Sequence, residues 1–148
     1  MTTRRNFLKT ICYAAAGAAV GARPFEAGAK AFPAAKSPDK VKVAYIGIGN
    51  RGEQVIADFA RTGMVEVVAL CDVDMGAPHT VNAINRYPHA KQYRDFRKMF
   101  DEIGGQFEAV VIATPDHSHF PISMLAMSEG KHVYVEKPLA RTFLEAEL

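Results

Sequence analysis

The sequence lacks the features that define several large classes of protein. It has only two cysteines, Cys12 and Cys71, and Cys12 lies in a segment that we expect to be removed, so no intrachain disulfide framework is available. Its longest apolar stretch, from Ile11 to Ala22, is about a dozen residues, mostly alanine, whereas a membrane-spanning helix needs about 20. It contains no internal repeat of fixed period, no paired catalytic carboxylates, no nucleophile elbow and no Walker loop. A disulfide scaffold, a permanent membrane span and a repeat protein are therefore not expected.

The sequence also lacks a large excess of one charge. The formal net charge of +2 includes five basic residues and one acidic residue before position 31, so the remainder is near −2. Such a balance provides no basic surface for a phosphate backbone and no polybasic membrane patch. Nucleic acid is therefore not an expected partner, and the apolar fraction of 49% in a chain of 148 residues is enough for one buried core.

Residues 1–31 have the order of an export signal. The pair Arg4-Arg5 is followed by Phe7-Leu8-Lys9 and then by the short apolar stretch. The small residues at 27–31 provide two overlapping A-x-A cleavage sites, ending at Ala29 and Ala31. Because paired arginines mark the twin-arginine (Tat) pathway, we predict export to the periplasm or beyond, followed by a linker over residues 32–40. A disordered basic arm or an amphipathic helix is the alternative.

From residue 41 onward, strand and helix patterns alternate. Apolar runs at 41–46, 65–71, 109–113 and 132–135 predict buried strands. Helical spacing predicts one helix ending before Gly63 and another from the cap Asp95 to Gly104, whereas residues 75–91 predict only a short helix near 80–85. Pro121 is expected in the first turn of a helix running to Gly130. This alternation predicts an α/β fold, a Rossmann-type doubly wound parallel sheet that binds ligands at the carboxyl ends of its strands.

A glycine-rich turn joins the first strand to the first helix. The turn has the pattern GxGxxG and consists of Gly47, Ile48, Gly49, Asn50, Arg51 and Gly52. The first glycine permits the tight turn, the second lets a pyrophosphate approach the backbone, and the third lets helix and strand pack closely. The amino terminus of the helix then faces the diphosphate with unpaired N–H groups. Arg51 is a candidate phosphate contact, with a solvated loop arginine as the alternative.

An acidic residue lies where a dinucleotide site needs one. Asp72 lies 20 residues beyond Gly52, at the end of the second strand, where a carboxylate accepts hydrogen bonds from the adenosine ribose. A carboxylate there repels a 2′-phosphate, and the following Val73-Asp74 supplies no arginine to hold one. We therefore expect NAD rather than NADP as the cofactor.

Two further clusters follow the later strands. One is Thr114-Pro115-Asp116-His117-Ser118-His119 and the other is Glu136-Lys137-Pro138. Together with the glycine turn, they resemble the Gfo/Idh/MocA oxidoreductases, whose signatures are a TP-x-x-x-H turn and an EKP tripeptide. The resemblance covers residues 41–148, and EKP is its most specific element.

The resemblance implies roles for individual residues. Thr114, Pro115 and His119 look like residues that line the nicotinamide-ribose end, Glu136 resembles a ribose contact, and Lys137 resembles the catalytic lysine. The alternatives are a solvated lysine for Lys137 and a helix cap or core histidine for His119. Independently, the proline after Lys137 disfavours a helical backbone, so the lysine should stay extended at the strand end. Its ammonium group could then polarise or deprotonate a substrate hydroxyl during hydride transfer. His117 and His119 have no third ligand of suitable type nearby, so no metal site is expected.

The resemblance also implies what the chain does not contain. Family members continue into an α+β domain that holds the substrate, so residues 41–148 are expected to be an incomplete NAD(P)-binding domain. Without the substrate domain, the chain alone is expected to be inactive. The implied reaction of the complete protein is hydride transfer between NAD and a sugar or polyol, with a homo-oligomer formed through the missing domain. Exported relatives that hydrolyse glycosides through bound NAD are the alternative, although they carry aromatic residues where this chain has 116–118. A non-catalytic nucleotide-binding module is a third hypothesis.

Overall fold

Five parallel strands form the centre of the domain. The structure, a computed structural model, describes residues 40–148; the predicted export signal and nearly all of the predicted linker lie outside the described residues. The strands are arranged in the order β3-β2-β1-β4-β5, every neighbouring pair is parallel, and their bounds are β1 Val41–Ile46, β2 Val65–Cys71, β3 Lys91–Tyr93, β4 Ala109–Ile112 and β5 His132–Val135. This is the predicted α/β fold, with the chain reversing its direction of winding at β1.

Both faces of the sheet are covered. Val43 and Tyr45 of β1 point into one core cluster, and Ala44 and Ile46 point into the other. All four side chains are at most 2% exposed. Successive side chains of a strand point to opposite faces, so a strand buried on both sides must be apolar throughout, as the continuous apolar runs predicted.

Helices cover the two faces. Their bounds are α1 Arg51–Arg61, α2 Val81–Arg86, α3 Phe96–Ile103, α4 Asp116–Ser128 and α5 Phe143–Glu147, with a 3₁₀ turn at Gly104–Gln106 after α3. The predicted cap of α3 is confirmed, since the Asp95 side chain accepts a hydrogen bond from the backbone N–H of Arg97 at 2.9 Å. Gly63, just beyond α1, has a φ of +69°, as expected for a residue that ends a helix.

The predicted start of α4 is wrong. The helix begins at Asp116, and Pro121 lies inside it rather than in its first turn. Pro115 is extended and precedes the helix, and its carbonyl accepts from the N–H of Ser118 at 2.9 Å. Pro121 removes one intrahelical bond, but Ile122 and Ala126 on the same helix are buried against the sheet. Tertiary packing therefore outweighs the local preference of proline.

The third strand was missed by the sequence analysis. β3 has only three residues, two of them polar and exposed, so it carries no apolar pattern. It forms because its backbone pairs with Ala69, Leu70 and Cys71 of β2. The short helix expected near 80–85 is present as α2. None of the helices formed by residues 40–148 has the length and apolar character needed to cross a bilayer.

Candidate functional site

The carboxyl ends of the strands meet at one edge of the sheet. Gly47, Asp72 and Glu136 directly follow β1, β2 and β5, and Thr114 follows β4 after one intervening residue. Because all strands are parallel, these residues lie along the same rim, and three strand spacings of about 4.8 Å separate β2 from β5. The sequence-predicted residues therefore share one edge, as expected.

The first and third glycines of the turn are required by close backbone packing. Gly47 has a φ of +81°, and a Cβ atom there would lie 2.6 Å from the carbonyl group of Ala113 at the end of β4. A Cβ atom on Gly52 would collide with the carbonyl oxygen of Gly47. These contacts match the predicted roles in a tight turn and in close packing of helix and strand.

The second glycine lies beside a residue that the sequence analysis missed. A Cβ atom on Gly49 would meet the imidazole ring of His79, which comes from the loop between β2 and α2. Nε2 of His79 lies 3.7 Å from Oδ2 of Asp74. Asn50 has a positive φ of 48°, which asparagine tolerates better than most residues. The glycine turn is thus bordered by a histidine 30 residues away in the chain.

Asp72 joins the turn to the second strand. Its Oδ2 accepts a hydrogen bond from the backbone N–H of Ile48 at 3.0 Å, and its Oδ1 accepts from the N–H of Asp74 at 3.0 Å. An ionised carboxylate oxygen can accept more than one hydrogen bond. Asp72 therefore holds the glycine turn and keeps acceptor capacity for a second partner.

An arginine holds the loop that follows Asp72. The guanidinium group of Arg94 donates to the carbonyl oxygens of Val73 at 3.0 Å and Met75 at 2.7 Å. Thr80 is fully buried, and its hydroxyl accepts from the N–H of Gly76 at 3.1 Å. Arg94 directly follows β3. A prediction that included β3 would have placed Arg94 at the carboxyl end of a strand and so at this edge of the sheet. Residues next to Asp72 in sequence supply no arginine, but the fold brings one to the same loop.

A cavity of about 590 Å³ opens at this rim. Seven of the predicted site residues line it, namely Gly47, Gly49, Asn50, Arg51, Asp72, Thr114 and Pro115. Residues that the prediction did not include also line it, among them Cys71, Asp74, His79, Arg94, Phe96, His117 and Ile122. The remaining predicted residues, Gly52, His119, Glu136 and Lys137, lie at the same edge but not on the cavity wall.

Glu136 and Arg51 form an ion pair between β5 and α1. Nη2 of Arg51 donates to Oε1 of Glu136 at 2.8 Å, and the hydroxyl of Tyr134 donates to the same oxygen at 3.1 Å. The hydrogen bond with Arg51 lowers the pKa of Glu136, and the hydrogen bond with Glu136 raises the pKa of Arg51. The predicted ribose contact and the predicted phosphate contact are thus paired with each other.

Lys137 lies just beyond β5 with an exposed side chain and outside any helix, as its position before proline predicted. The peptide bond between Lys137 and Pro138 is cis.

His119, on α4, is 1% exposed. Its Nδ1 lies 2.6 Å from the carbonyl oxygen of Pro138, and its Nε2 lies 2.7 Å from that of Thr114. His119 therefore lies beneath the rim, between the two predicted clusters.

The free thiol of Cys71 is buried at the base of the cavity. Burial, with a smaller contribution from the charge of Asp72, raises its pKa to about 12. The thiol is therefore protonated at neutral pH and unreactive as a nucleophile. Residues 40–148 contain no group of three or more His, Cys, Asp or Glu side chains placed to hold a metal ion.

The glycine turn, the carboxylate of Asp72 and the two later clusters at one rim agree with a comparison of sequence families. Residues 41–147 match the oxidoreductase family Gfo/Idh/MocA, described by its NAD-binding Rossmann fold. The chain belongs to this family.

Curated proteins similar in sequence to this chain are named as glycoside-cleaving enzymes rather than as oxidoreductases. A glycosyl hydrolase family 109 protein from Shewanella pealeana is 31% identical over 94% of this chain. An alpha-N-acetylgalactosaminidase from Tannerella forsythia is 34% identical over 97% of it. The chain spans about a third of the length of these relatives, 34% of each.

Several solved structures of similar fold are named as dehydrogenases. Myo-inositol 2-dehydrogenase from Lactobacillus plantarum has a TM-score of 0.65 and 27% identity, with 74% of this chain and 31% of that chain covered. The WlbA dehydrogenase from Bordetella pertussis, in complex with NADH and UDP-GlcNAcA, has a TM-score of 0.62 and 26% identity, with 73% and 32% covered. The curated relatives and these solved structures thus differ in the reaction that their names describe.

Proposed function

We propose that residues 41–148 bind NAD and present it for hydride transfer between the nicotinamide and a sugar or polyol held by the complete protein. One observation carries the proposal. The carboxylate of Asp72 accepts from the backbone N–H of Ile48, in the middle of the glycine turn, at 3.0 Å. The turn proposed to bind the diphosphate and the carboxylate proposed to bind the ribose thus lie beside one another at the mouth of one cavity.

The residues present fit a dinucleotide. The turn precedes the amino terminus of α1, where the positive end of the helix dipole attracts anions, and the N–H of Gly52 already donates to the carbonyl oxygen of Gly49 at 2.8 Å. Gly49 has no side chain to fill the cavity mouth, and a Cβ atom there has no room beside His79. The hydroxyl oxygen of Thr114 is buried and has no hydrogen-bond partner among the described residues, although Thr114 lines the cavity. A buried hydroxyl without a partner is costly, so a bound group that pairs with it is favoured.

The charges at the cavity favour NAD over NADP. Asp72 and Asp74 both line the end that receives the adenosine ribose, and they would repel a 2′-phosphate. Arg94 lines the same end, but two of its N–H groups already donate to backbone carbonyls. Two carboxylates would repel a 2′-phosphate, and the nearby guanidinium group is already hydrogen-bonded to the backbone. This charge balance supports a preference for the unphosphorylated ribose of NAD.

Lys137 is the proposed catalytic residue. It follows the strand two places from the glycine turn, with its side chain exposed at the rim. Its ammonium group would donate a hydrogen bond to the substrate oxygen and polarise it, whereas accepting the proton that the hydroxyl loses would require the neutral amine. NAD, when bound, supplies the acceptor or donor of the hydride. The family resemblance and the position before Pro138 support this role.

The substrate class is proposed from the structural relatives. One of them is an inositol dehydrogenase, and another was solved with a nucleotide sugar. Both compounds present several hydroxyl groups, which a lysine ammonium can polarise. The substrate-binding part and any oligomer interface are assigned to the region of the relatives that this chain does not span.

A second candidate function is hydrolysis of glycosides through transient oxidation by bound NAD. The names of the curated relatives, which align over 94% and 97% of this chain, favour it. It uses the same cofactor site and differs in the net reaction. The residues at 116–118, Asp-His-Ser rather than aromatic, support the dehydrogenase.

Calorimetric titration tests the binding part of the proposal. We expect the chain to bind NAD and to bind NADP at least tenfold more weakly; tighter binding of NADP would contradict the proposed role of Asp72. Binding without any turnover in the complete protein would instead favour the non-catalytic module.

Product analysis tests the reaction. In the protein of the relatives' length, Lys137→Met should lower turnover by about 10²–10⁴-fold, as for the loss of an acid–base group. Lys98→Met, at an exposed position of α3, is the matched control. Net NADH formed with a free sugar identifies the dehydrogenase, and aglycone released without net NADH identifies the glycosidase.

Export through the twin-arginine pathway is also proposed. The support is the order of residues 1–31, in which Arg4-Arg5 precede a short apolar stretch and two overlapping A-x-A sites. A pathway for folded proteins suits a protein that must acquire a cytoplasmic cofactor before export. Cell fractionation should find a periplasmic or secreted form that lacks residues 1–31 or 1–29. Uncleaved protein in the cytoplasm would contradict it.

A further inference from the structure

His119 connects the two sequence clusters that follow β4 and β5. Its two ring nitrogens lie 2.7 Å from the carbonyl oxygen of Thr114 and 2.6 Å from that of Pro138. Both partners are carbonyl oxygens, which accept hydrogen bonds and cannot donate them. A neutral imidazole, which bears one N–H, therefore makes a hydrogen bond to one of the two carbonyl oxygens. It makes both hydrogen bonds only when both ring nitrogens bear a hydrogen.

The segment that His119 reaches has few other attachments. Glu136 is fixed to β4, because its N–H donates to the carbonyl of Ile112 at 2.9 Å. From residue 137 to residue 140, the carbonyl of Pro138 is the only backbone group within hydrogen-bonding distance of another part of the described chain, and the bond forms when Nδ1 of His119 bears the hydrogen. The next attachments are the N–H groups of Arg141 and Thr142, and these bond to Glu145 within the same segment. The contact with His119 thus fixes the turn that carries Lys137.

His119 is placed to act through its neighbours rather than on a ligand. It is 1% exposed, and the cavity is lined by His117 and Ser118 from the same turn of α4 but not by His119. Both of its nitrogens already lie within hydrogen-bonding distance of the backbone. The ring therefore has no free polar atom to offer to a cofactor.

We infer that His119 is a positioning residue, which fastens the turn at Lys137-Pro138 to the end of β4 and so fixes where the Lys137 ammonium lies. This replaces the contact with the nicotinamide ribose that the family resemblance implied for His119. The inference rests on the proposed function only in giving Lys137 a substrate. The geometric claim concerns the chain alone.

Backbone ¹⁵N relaxation of the full chain tests the inference without requiring catalysis. His119→Phe keeps a planar ring of similar size and removes both ring nitrogens, and His89→Phe is the matched control at an exposed position. In the wild type and the control, the order parameters of the Lys137 and Leu139 amides should be near 0.85. In His119→Phe they should fall below about 0.6, while the amides of α4 remain ordered.

The outcomes separate positioning from general stability and from failure of the proposed function. If Lys137 and Leu139 keep their order in a folded His119→Phe chain, the inference is overturned. If that variant does not fold, His119→Gln decides, because one amide donor cannot reach both carbonyls: partial loss of order at Lys137 supports the inference, and wild-type order overturns it. Titration of the same samples with NAD is read separately. A wild-type chain that does not bind NAD refutes the proposed function, whereas the relaxation data still decide the role of His119.

Discussion

Replacing Asp72 by asparagine tests the part of the site on which the cofactor assignment depends. The side chain accepts from two backbone N–H groups, those of Ile48 and Asp74, at 3.0 Å each. Asparagine has the same shape but only one acceptor oxygen, so one N–H must face an amide N–H₂ group. A hydrogen bond to a charged group contributes about 1.5–3 kcal/mol, and a donor left without a partner costs about 1–3 kcal/mol. Because Asp72 is only partly buried, we expect the free energy of unfolding to fall by about 1.5–3 kcal/mol.

Urea unfolding measures this loss. With a slope of about 2 kcal/mol per molar urea, the midpoint of Asp72→Asn should fall by about 1 M. Asp101→Asn removes the same charge at an exposed position of α3 and should leave the midpoint within about 0.3 M of wild type. Equal midpoints for the two variants would refute the argument that Asp72 holds the glycine turn.

The same variant separates cofactor binding from stability. Loss of the carboxylate should weaken NAD binding by about tenfold, which corresponds to about 1.4 kcal/mol. Repulsion of the 2′-phosphate should fall as well, so the preference for NAD over NADP should narrow. An Asp72→Asn chain that binds NAD as tightly as wild type would show that the carboxylate does not contact the ribose.

Three further predictions follow from individual contacts. Gly47→Ala should lower the thermal midpoint much more than Gly63→Ala. Both glycines have a positive φ, which costs alanine about 1–2 kcal/mol of stability, but of the two only Gly47 would bring a Cβ atom against backbone atoms. Equal losses in the two variants would refute the packing argument. Glu136→Gln should lower the thermal midpoint at neutral pH, because the hydrogen bond with Arg51 lowers the pKa of Glu136 in the folded protein. The stabilisation is present above the ordinary carboxyl pKa of 4.5 and is lost as the pH falls through the lowered pKa. Thermal scans of the two proteins should therefore converge in acid, and a difference that does not change with pH would contradict the prediction. Arg94→Ala should speed hydrogen exchange about tenfold at residues 73–80 and leave β1 unchanged, whereas uniform acceleration would indicate global destabilisation.

Patterns that repeat over many residues were predictable from the sequence. The bounds of β1, β2 and β5 were confirmed because strands buried on both faces must be continuously apolar, and that composition is visible in a single sequence. The glycine turn and Asp72 were predictable for a related reason. The tight turn at Gly47 and the position of Asp72 depend on backbone geometry at the end of a strand, which local residue type reveals.

Other elements depended on partners that are distant in sequence. β3 exists only because its backbone pairs with β2, and the start of α4 at Asp116 is favoured by burial of that helix against the sheet. No local pattern records either contact. For the same reason the sequence analysis did not place Arg94 or His79 at the cavity.

The sequence by itself determined the class of fold and the rim where the proposed site residues lie, because strand burial, glycine turns and chain order are local properties. Only the tertiary structure decided which of those side chains pair with one another. It joined Arg51 to Glu136 across 85 positions and set His119 between two carbonyls from different loops. Such pairings depend on distances between strand ends, and those distances exist only after the sheet has formed.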